Sequence, residues 1–159
     1  EEPSEEPSEE PSSEEPATTR APATTRAPSP PTTEADIPEP PAPSPGAAIA
    51  VAEARRQLGK PYRFGATGPD AFDCSGLSQW AWAKAGISMA HYTGSQYSAF
   101  PKVAFADLQP GDLVFFRADL GHMGIYIGGG QMIHAPRTGD VVRVASISGR
   151  SFVGAVRPG

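Results

Sequence analysis

The chain has one cysteine and three histidines, and their placement is the first sign of chemistry. Cys74 lies in Asp73-Cys74-Ser75-Gly76-Leu77, at the predicted start of a helix. A free thiol has a pKa near 8.5, so only about 3% is thiolate at pH 7. A helix N-terminus offers unpaired N–H groups and the positive end of the helix dipole. A nearby imidazolium lowers a thiol pKa further, into the range of about 3.5–7.5 typical of reactive cysteines. Taken alone, the residue also admits a plainer reading as a small buried hydrophobe.

The histidines bear on that choice. His122 and His134 flank a tight hairpin turning at Gly128-Gly129-Gly130. In an antiparallel hairpin, paired residues share a face. A loop centred on Gly128 sets the two histidines directly opposite each other. One centred on Gly129 makes them diagonal neighbours, about 7–8 Å apart. Either register puts them on one face, which Gly124 shares and is expected to leave open. The pair with Cys74 reads as nucleophile, base and orienting residue: Cys74 attacks, His122 takes the proton and His134 holds the tautomer of His122. Two His and one Cys are also three potential metal ligands, though no further ligand motif accompanies them. The oxyanion formed on attack needs donors. The backbone N–H of Cys74 is one candidate; the hydroxyl of Tyr62 is another, with a packed core tyrosine as its alternative.

These residues need a scaffold, and its elements are legible. Ala47 to Leu58 reads as a helix with Val51, Ala54 and Leu58 on one face, ended by Gly59 and Pro61. Pro61 to Asp73 is rich in turn residues. A second helix runs from Cys74 to Ala85, with Leu77, Trp80, Ala81 and Ala85 as its apolar stripe and Gly86 as its stop. The polar stretch 88–98 has room for a short third helix. Strands are expected at Leu113–Phe116, His122–Gly128, Gln131–Ala135, Val141–Ala145 and Phe152–Val156. Helices first and antiparallel strands after is the α+β pattern.

Composition separates this domain from what precedes it. Residues 1–46 hold ten Glu, Asp36 and only Arg20 and Arg26, a net charge of −9; residues 47–159 carry +4. Of 19 prolines, 13 lie before residue 47, whereas 16 of 17 glycines lie from there onward. Residues 1–46 contain no aromatic residue, and Ile37 is their one large apolar side chain. Such a segment cannot bury enough surface to offset its ordering entropy and is expected to be disordered. Its Glu-Glu-Pro-Ser repeats and the doubled Ala-Thr-Thr-Arg-Ala-Pro at 17–28 suit a semi-stiff, proline-rich linker of the kind found in cell-surface stalks. With no initiating Met and no signal peptide, the chain reads as a fragment or mature form. Residues 47–159 are long enough to fold unaided. A single cysteine excludes a disulfide scaffold and a cysteine-rich zinc site. No apolar run approaches the roughly 20 residues of a membrane span, and a basic excess of four is too small to argue for nucleic acid.

Several motifs together carry a resemblance. Pro61-Tyr62, the Gly65/Gly68 loop, Phe72-Asp73-Cys74-Ser75-Gly76-Leu77, Leu108-Gln109-Pro110-Gly111-Asp112-Leu113-Val114-Phe115-Phe116, His122-Met123-Gly124-Ile125-Tyr126-Ile127-Gly128 and Met132-Ile133-His134-Ala135 resemble the NlpC-type cell-wall endopeptidases, papain-like cysteine peptidases. The match spans 47–159 in the family's order. It implies a papain-like α+β fold, with N-terminal helices packed on a central antiparallel sheet. It implies hydrolysis of the γ-D-glutamyl–diamino acid bond (diaminopimelate or lysine) in peptidoglycan stem peptides, without metal or cofactor. On that pattern Cys74 is nucleophile, His122 base and His134 orienting residue, and Tyr62 stands near the oxyanion. Asp73, Ser75 and Thr93 correspond to positions that contact the stem peptide in some members. Phe64, where the family often has Trp, and His91-Tyr92-Thr93, replacing a common Pro-Arg-Thr/Ser stretch, are the departures. The phrasing is most similar to actinobacterial, mycobacterial-type secreted wall hydrolases, which implies a secreted, wall-associated monomer. An N-acetylmuramoyl-L-alanine amidase, an acyltransferase on the same scaffold, and a non-catalytic wall-binding module are the alternatives.

Overall fold

A computed structural model describes residues 42–159. The expected disordered segment therefore lies, except for residues 42–46, outside the described residues. Helix α1 spans Pro45–Arg56, two residues earlier at each end than the pattern predicts. Pro45 and Gly46 therefore belong to the helix and not to the linker. Proline is tolerated there because the first helical N–H has no intrahelical partner. Ser44 caps the helix, accepting the Ala47 N–H at 3.0 Å. The helix buries its small residues, Ala47, Ala50 and Ala54, and leaves Leu58, beyond its end, exposed. Small side chains let α1 approach α2 closely.

Helix α2 spans Cys74–Lys84 and begins at the residue the sequence indicates. It ends in a Schellman arrangement: Ile87 N–H donates to Trp82 O and Gly86 N–H to Ala83 O, with Gly86 at φ +85°. Leu77, Ala81 and Trp82 form its buried stripe. Trp82, and not the expected Trp80, is the fully buried indole. Trp80 sits at the seam with α1, where its Nε1–H donates to Glu53 Oε1 at 2.8 Å. Glu53 also accepts from Gln57 Nε2 at 2.8 Å, so a buried carboxylate clamps the two helices with its acceptors filled. The third helix, α3, is Thr93–Ala99. Gln96, fully buried, donates from Nε2 to Ser75 O and Ala90 O and accepts from Ser78 Oγ, tying α3 to α2.

Six antiparallel strands follow: β1 Lys102–Val103, β2 Leu113–Phe116, β3 His122–Gly128, β4 Gln131–His134, β5 Arg143–Ser146 and β6 Phe152–Val156, in the order β1-β6-β2-β3-β4-β5. β1 is too short to leave a sequence pattern and pairs only with the edge of β6. β5 begins two residues later than expected, because Val141 instead bridges Pro61. Leu113, Phe115, Met123, Ile125 and Ile133 face the helices, and Val114, Phe116, Met132 and Ala155 fill a second cluster on the other face. Apolar packing on both sides explains why β2 reads as a continuous apolar run. A bidentate pair, Arg157 to both oxygens of Asp112 at 2.8 Å, fastens the chain after β6 to the turn before β2. Three helices on an antiparallel sheet are the expected α+β architecture.

Candidate active site

Asp73 sets the geometry around the cysteine. It is the N-cap of α2, accepting the Gly76 N–H on Oδ1 at 2.6 Å and the Gly65 N–H on Oδ2 at 3.0 Å. His91 Nε2 lies 2.8 and 3.0 Å from the two oxygens. A carboxylate only accepts, so His91 donates from Nε2. The loop preceding α2 closes on the helix: Asp73 N–H donates to Ala66 O at 2.9 Å. A Cβ at position 76 would stand 2.1 Å from that same carbonyl, so only glycine allows the approach. Cys74 is thereby fixed at the first helical residue, half-buried, at the floor of a cleft of about 310 Å³. Tyr62, Asp73, Ser75 and Thr93, all expected at the site, line this cleft. His91 and Tyr92 line it too. Sequence reasoning noted them as departures but assigned them no contact; the signal was an acidic N-cap with more acceptor capacity than its own helix can fill.

The imidazoles come from the sheet. β3 pairs with β4 as Ile125↔Ile133 and Tyr126↔Met132, with a bulge before Gly128↔Gln131. This is the register centred on Gly129, so His122 and His134 are diagonal neighbours. Their rings lie 4.9 Å apart between centroids, and His122 Nε2 is 2.7 Å from His134 Nδ1. Phe116 stacks on His122 at 6.1 Å. The face is not left open at Gly124, as expected from its missing side chain. Met132 Sδ would lie 2.6 Å from a Cβ there and His134 Cβ 3.2 Å, so the neighbours have filled the space. His134 is 1% exposed.

Cys74 and the imidazole pair both lie near the start of β3. The Met123 backbone N–H acts on the thiol, as do those of Ser75 and Cys74 itself. Gly121 lines both the thiol cleft and the cavity that holds His122 and His134. With Nε2 engaged by His134, Nδ1 is the other proton site of the His122 ring. Tyr62 is held by its N–H to Asp140 O at 3.0 Å. Burial, then the charges of Cys74 and Asp73, push its phenol pKa up, so it stays a hydrogen-bond donor.

The electrostatics differ from the expected thiolate–imidazolium pair. Burial pushes the Cys74 thiol up and the Asp73 carboxylate adds to this, outweighing the three backbone N–H groups. Burial, with Arg150 and Arg117, takes His122 down to about 4. Burial, the neighbouring His122, Arg150 and Arg143 depress His134, against a smaller opposing effect of Asp140. At neutral pH these shifts favour an uncharged thiol and uncharged imidazoles. The expectation of a depressed thiol pKa counted the helix N-terminus but not the adjacent carboxylate or the arginines behind the histidines.

The comparison with known proteins follows the same residues. The NlpC/P60 family model matches residues 59–156, and the chain belongs to that family. A probable endopeptidase of Corynebacterium glutamicum is 44% identical over 117 residues, covering 74% of this chain and 56% of that protein. The probable endopeptidase p60 of Listeria grayi is 45% identical over 103 residues, covering 64% of this chain and 20% of that protein. The chain thus spans a fifth to about half of these relatives' length. The crystal structure of the NlpC/p60 domain of the peptidoglycan hydrolase SagA superposes with a TM-score of 0.64 at 37% identity, covering 69% of this chain and 97% of that domain. The family is one of hydrolases whose curated members bear the name endopeptidase. Among the described residues no helix is long and apolar enough to cross a membrane.

Proposed function

We propose that residues 47–159 form a peptidoglycan D,L-endopeptidase that hydrolyses the γ-D-glutamyl–diamino acid bond of stem peptides, acting in wall remodelling or daughter-cell separation. The observation that carries this is the 2.7 Å contact between His122 Nε2 and His134 Nδ1, which turns Nδ1 of His122 toward duty as base while Cys74 stands at the head of α2. His122 Nδ1 takes the thiol proton as Sγ bonds to the γ-carbonyl carbon. The oxyanion accepts hydrogen bonds from the Cys74 N–H and the Tyr62 hydroxyl. The C–N bond then breaks, the leaving amine takes the proton from His122, and a water activated by the same nitrogen hydrolyses the thioester. His134 is the orienting residue, fixing the proton of His122 on Nε2. Ser75 and Thr93 line the cleft that receives the acyl portion, and Asp73 offers a carboxylate to an N-terminal ammonium group of the peptide.

On this reading the protein is secreted and wall-associated, the residues ahead of α1 are a linker, the domain works as a monomer without metal, and it has no nucleic-acid partner. Digestion of purified muropeptides followed by mass spectrometry tests the reaction. The expected products carry a new free amine on the diamino acid and a terminal D-glutamate. Release of intact stem peptide from muramic acid would identify an amidase instead.

A further inference from the structure

The carboxylate that caps α2 is almost full. Asp73 is buried, and its two oxygens offer about four acceptor positions. The N–H groups of Gly76 and Gly65 take two of them, holding the helix start and the preceding loop. His91, a wall of the thiol cleft, covers the rest: its Nε2 reaches both oxygens, at 2.8 and 3.0 Å. Ser75 Oγ stands further off, 3.4 Å from Oδ1.

The imidazole is the movable member of this set. The His91 side chain is 31% exposed, against 10% for that of Asp73. Its aromatic neighbour Tyr92, with ring centroids 6.4 Å apart, is itself exposed. The backbone leading to His91 is fixed. Gln79 Nε2 donates to Met89 O at 2.9 Å, and the buried Gln96 Nε2 donates to Ala90 O at 2.8 Å. Rotation about the side-chain bonds of His91 therefore uncovers the carboxylate and leaves the cap in place. The two glycine N–H groups cannot leave Asp73 without opening the helix start and the loop.

We infer that His91 is a specificity-determining residue: it occupies the place at Asp73 that a free N-terminal ammonium of the stem peptide would take, and so tilts the cleft toward peptides acylated on that nitrogen. The inference rests on the endopeptidase reading above and on the place that reading gives Asp73. A peptide with a free amine must break a charge-assisted hydrogen bond before it can form its own, and the buried carboxylate has no room for both donors. A peptide acylated on the same nitrogen carries no charge there and leaves His91 where it stands. Phe64 and Tyr92, both exposed and both lining this cleft, offer the acyl group apolar surface. The discrimination comes mainly from denying one peptide its site, which separates two substrates as well as added contacts do.

The test measures kcat/KM at pH 7 on L-Ala-γ-D-Glu-X-D-Ala, with the alanine amine free or acetylated, and with X as diaminopimelate and as lysine. At that pH a terminal amine, with a pKa of about 7.7–8.0, is mostly protonated. The wild type is expected to favour the acetylated peptides by about tenfold. In His91→Ala and His91→Ser, whose side chains cannot reach the carboxylate, the ratio should fall toward one. His91→Gln, whose amide N–H can still donate to Asp73, should keep it. A residue that only braced the cap would lower both rates together and leave their ratio alone. Because a ratio reports only on folded, active molecules, partial unfolding does not imitate the collapse. A wild type that cleaves the free-amine peptides as well as the acetylated ones, or a preference that survives both His91→Ala and His91→Ser, would overturn the inference while leaving the endopeptidase reading intact. Failure to cleave any of the peptides at the γ-glutamyl bond would overturn that reading and this one with it.

Discussion

The two cavities that meet at Gly121 are built on opposite principles. The thiol cleft is organised by one carboxylate: Asp73 caps α2, holds the Gly65 loop and anchors His91, all within a short stretch of chain. The imidazole cavity is organised by strand register and by arginines from four separate positions between β2 and β6. One side is locally determined and negative, the other assembled from distant segments and positive. The difference teaches how the site keeps its thiol and its imidazoles neutral. Asp73 disfavours the thiolate on its side, and the arginines disfavour the imidazolium on theirs. Burial is the larger cause on both sides, and the local charge adds to it.

The sharpest way to break this comparison is to remove one side altogether. Cys74→Ala should lower turnover of muropeptides by at least about a thousandfold while leaving the thermal melt unchanged, since the nucleophile goes and only a small group is lost. Substantial residual turnover would remove the cysteine from the mechanism. His122→Ala should cost about a hundredfold to ten-thousandfold, because the thiol then has no proton acceptor. His134→Gln should be milder, about tenfold, as an amide can still hydrogen-bond to His122 Nε2. A greater loss for His134→Gln than for His122→Ala would reverse the roles assigned to the two rings.

The pH profile tests the neutral pair and carries the smallest effect. If the base is an imidazole with a pKa depressed to about 4, kcat/KM should vary less than about twofold between pH 6 and 8 and fall only below about pH 5. An acid limb centred near 7 would show that the imidazole keeps its ordinary pKa. The same shift couples stability to pH. With the folded pKa below the unfolded value of about 6.5, the native state binds fewer protons, so the contribution is intact above pH 6.5 and is lost as pH falls toward 4. The melting temperature should decline across that window, and less so in His134→Gln.

The parts of the site that were legible in the sequence are those set by local chemistry. Cys74 reads as the start of a helix that stops at Gly86 because both are short-range signals, and both stand in the structure, where Asp73 supplies the cap. The shared face of His122 and His134 follows from the period of a strand, which any tight hairpin imposes. The choice between opposite and diagonal neighbours did not, because it depends on the bulge before Gly128, where three glycines accept several turns. Trp82 and not Trp80 is buried because burial on α2 depends on where α1 crosses it, and at that seam Trp80 bonds Glu53.

Sequence by itself determined which side chains can do chemistry, the order of helices and strands, and the α+β class, because each rests on residue type or on a short period. Tertiary structure alone decided the charge around those side chains. Arg117, Arg137, Arg143 and Arg150 have no sequence spacing that announces a cluster, and they converge only when the chain after β2 and the loops around β5 fold to one end of the sheet. Electrostatic effects depend on distance and burial, neither of which a linear pattern contains. That is why a nucleophile and a base could be proposed from the sequence while the charges around them could not be read there.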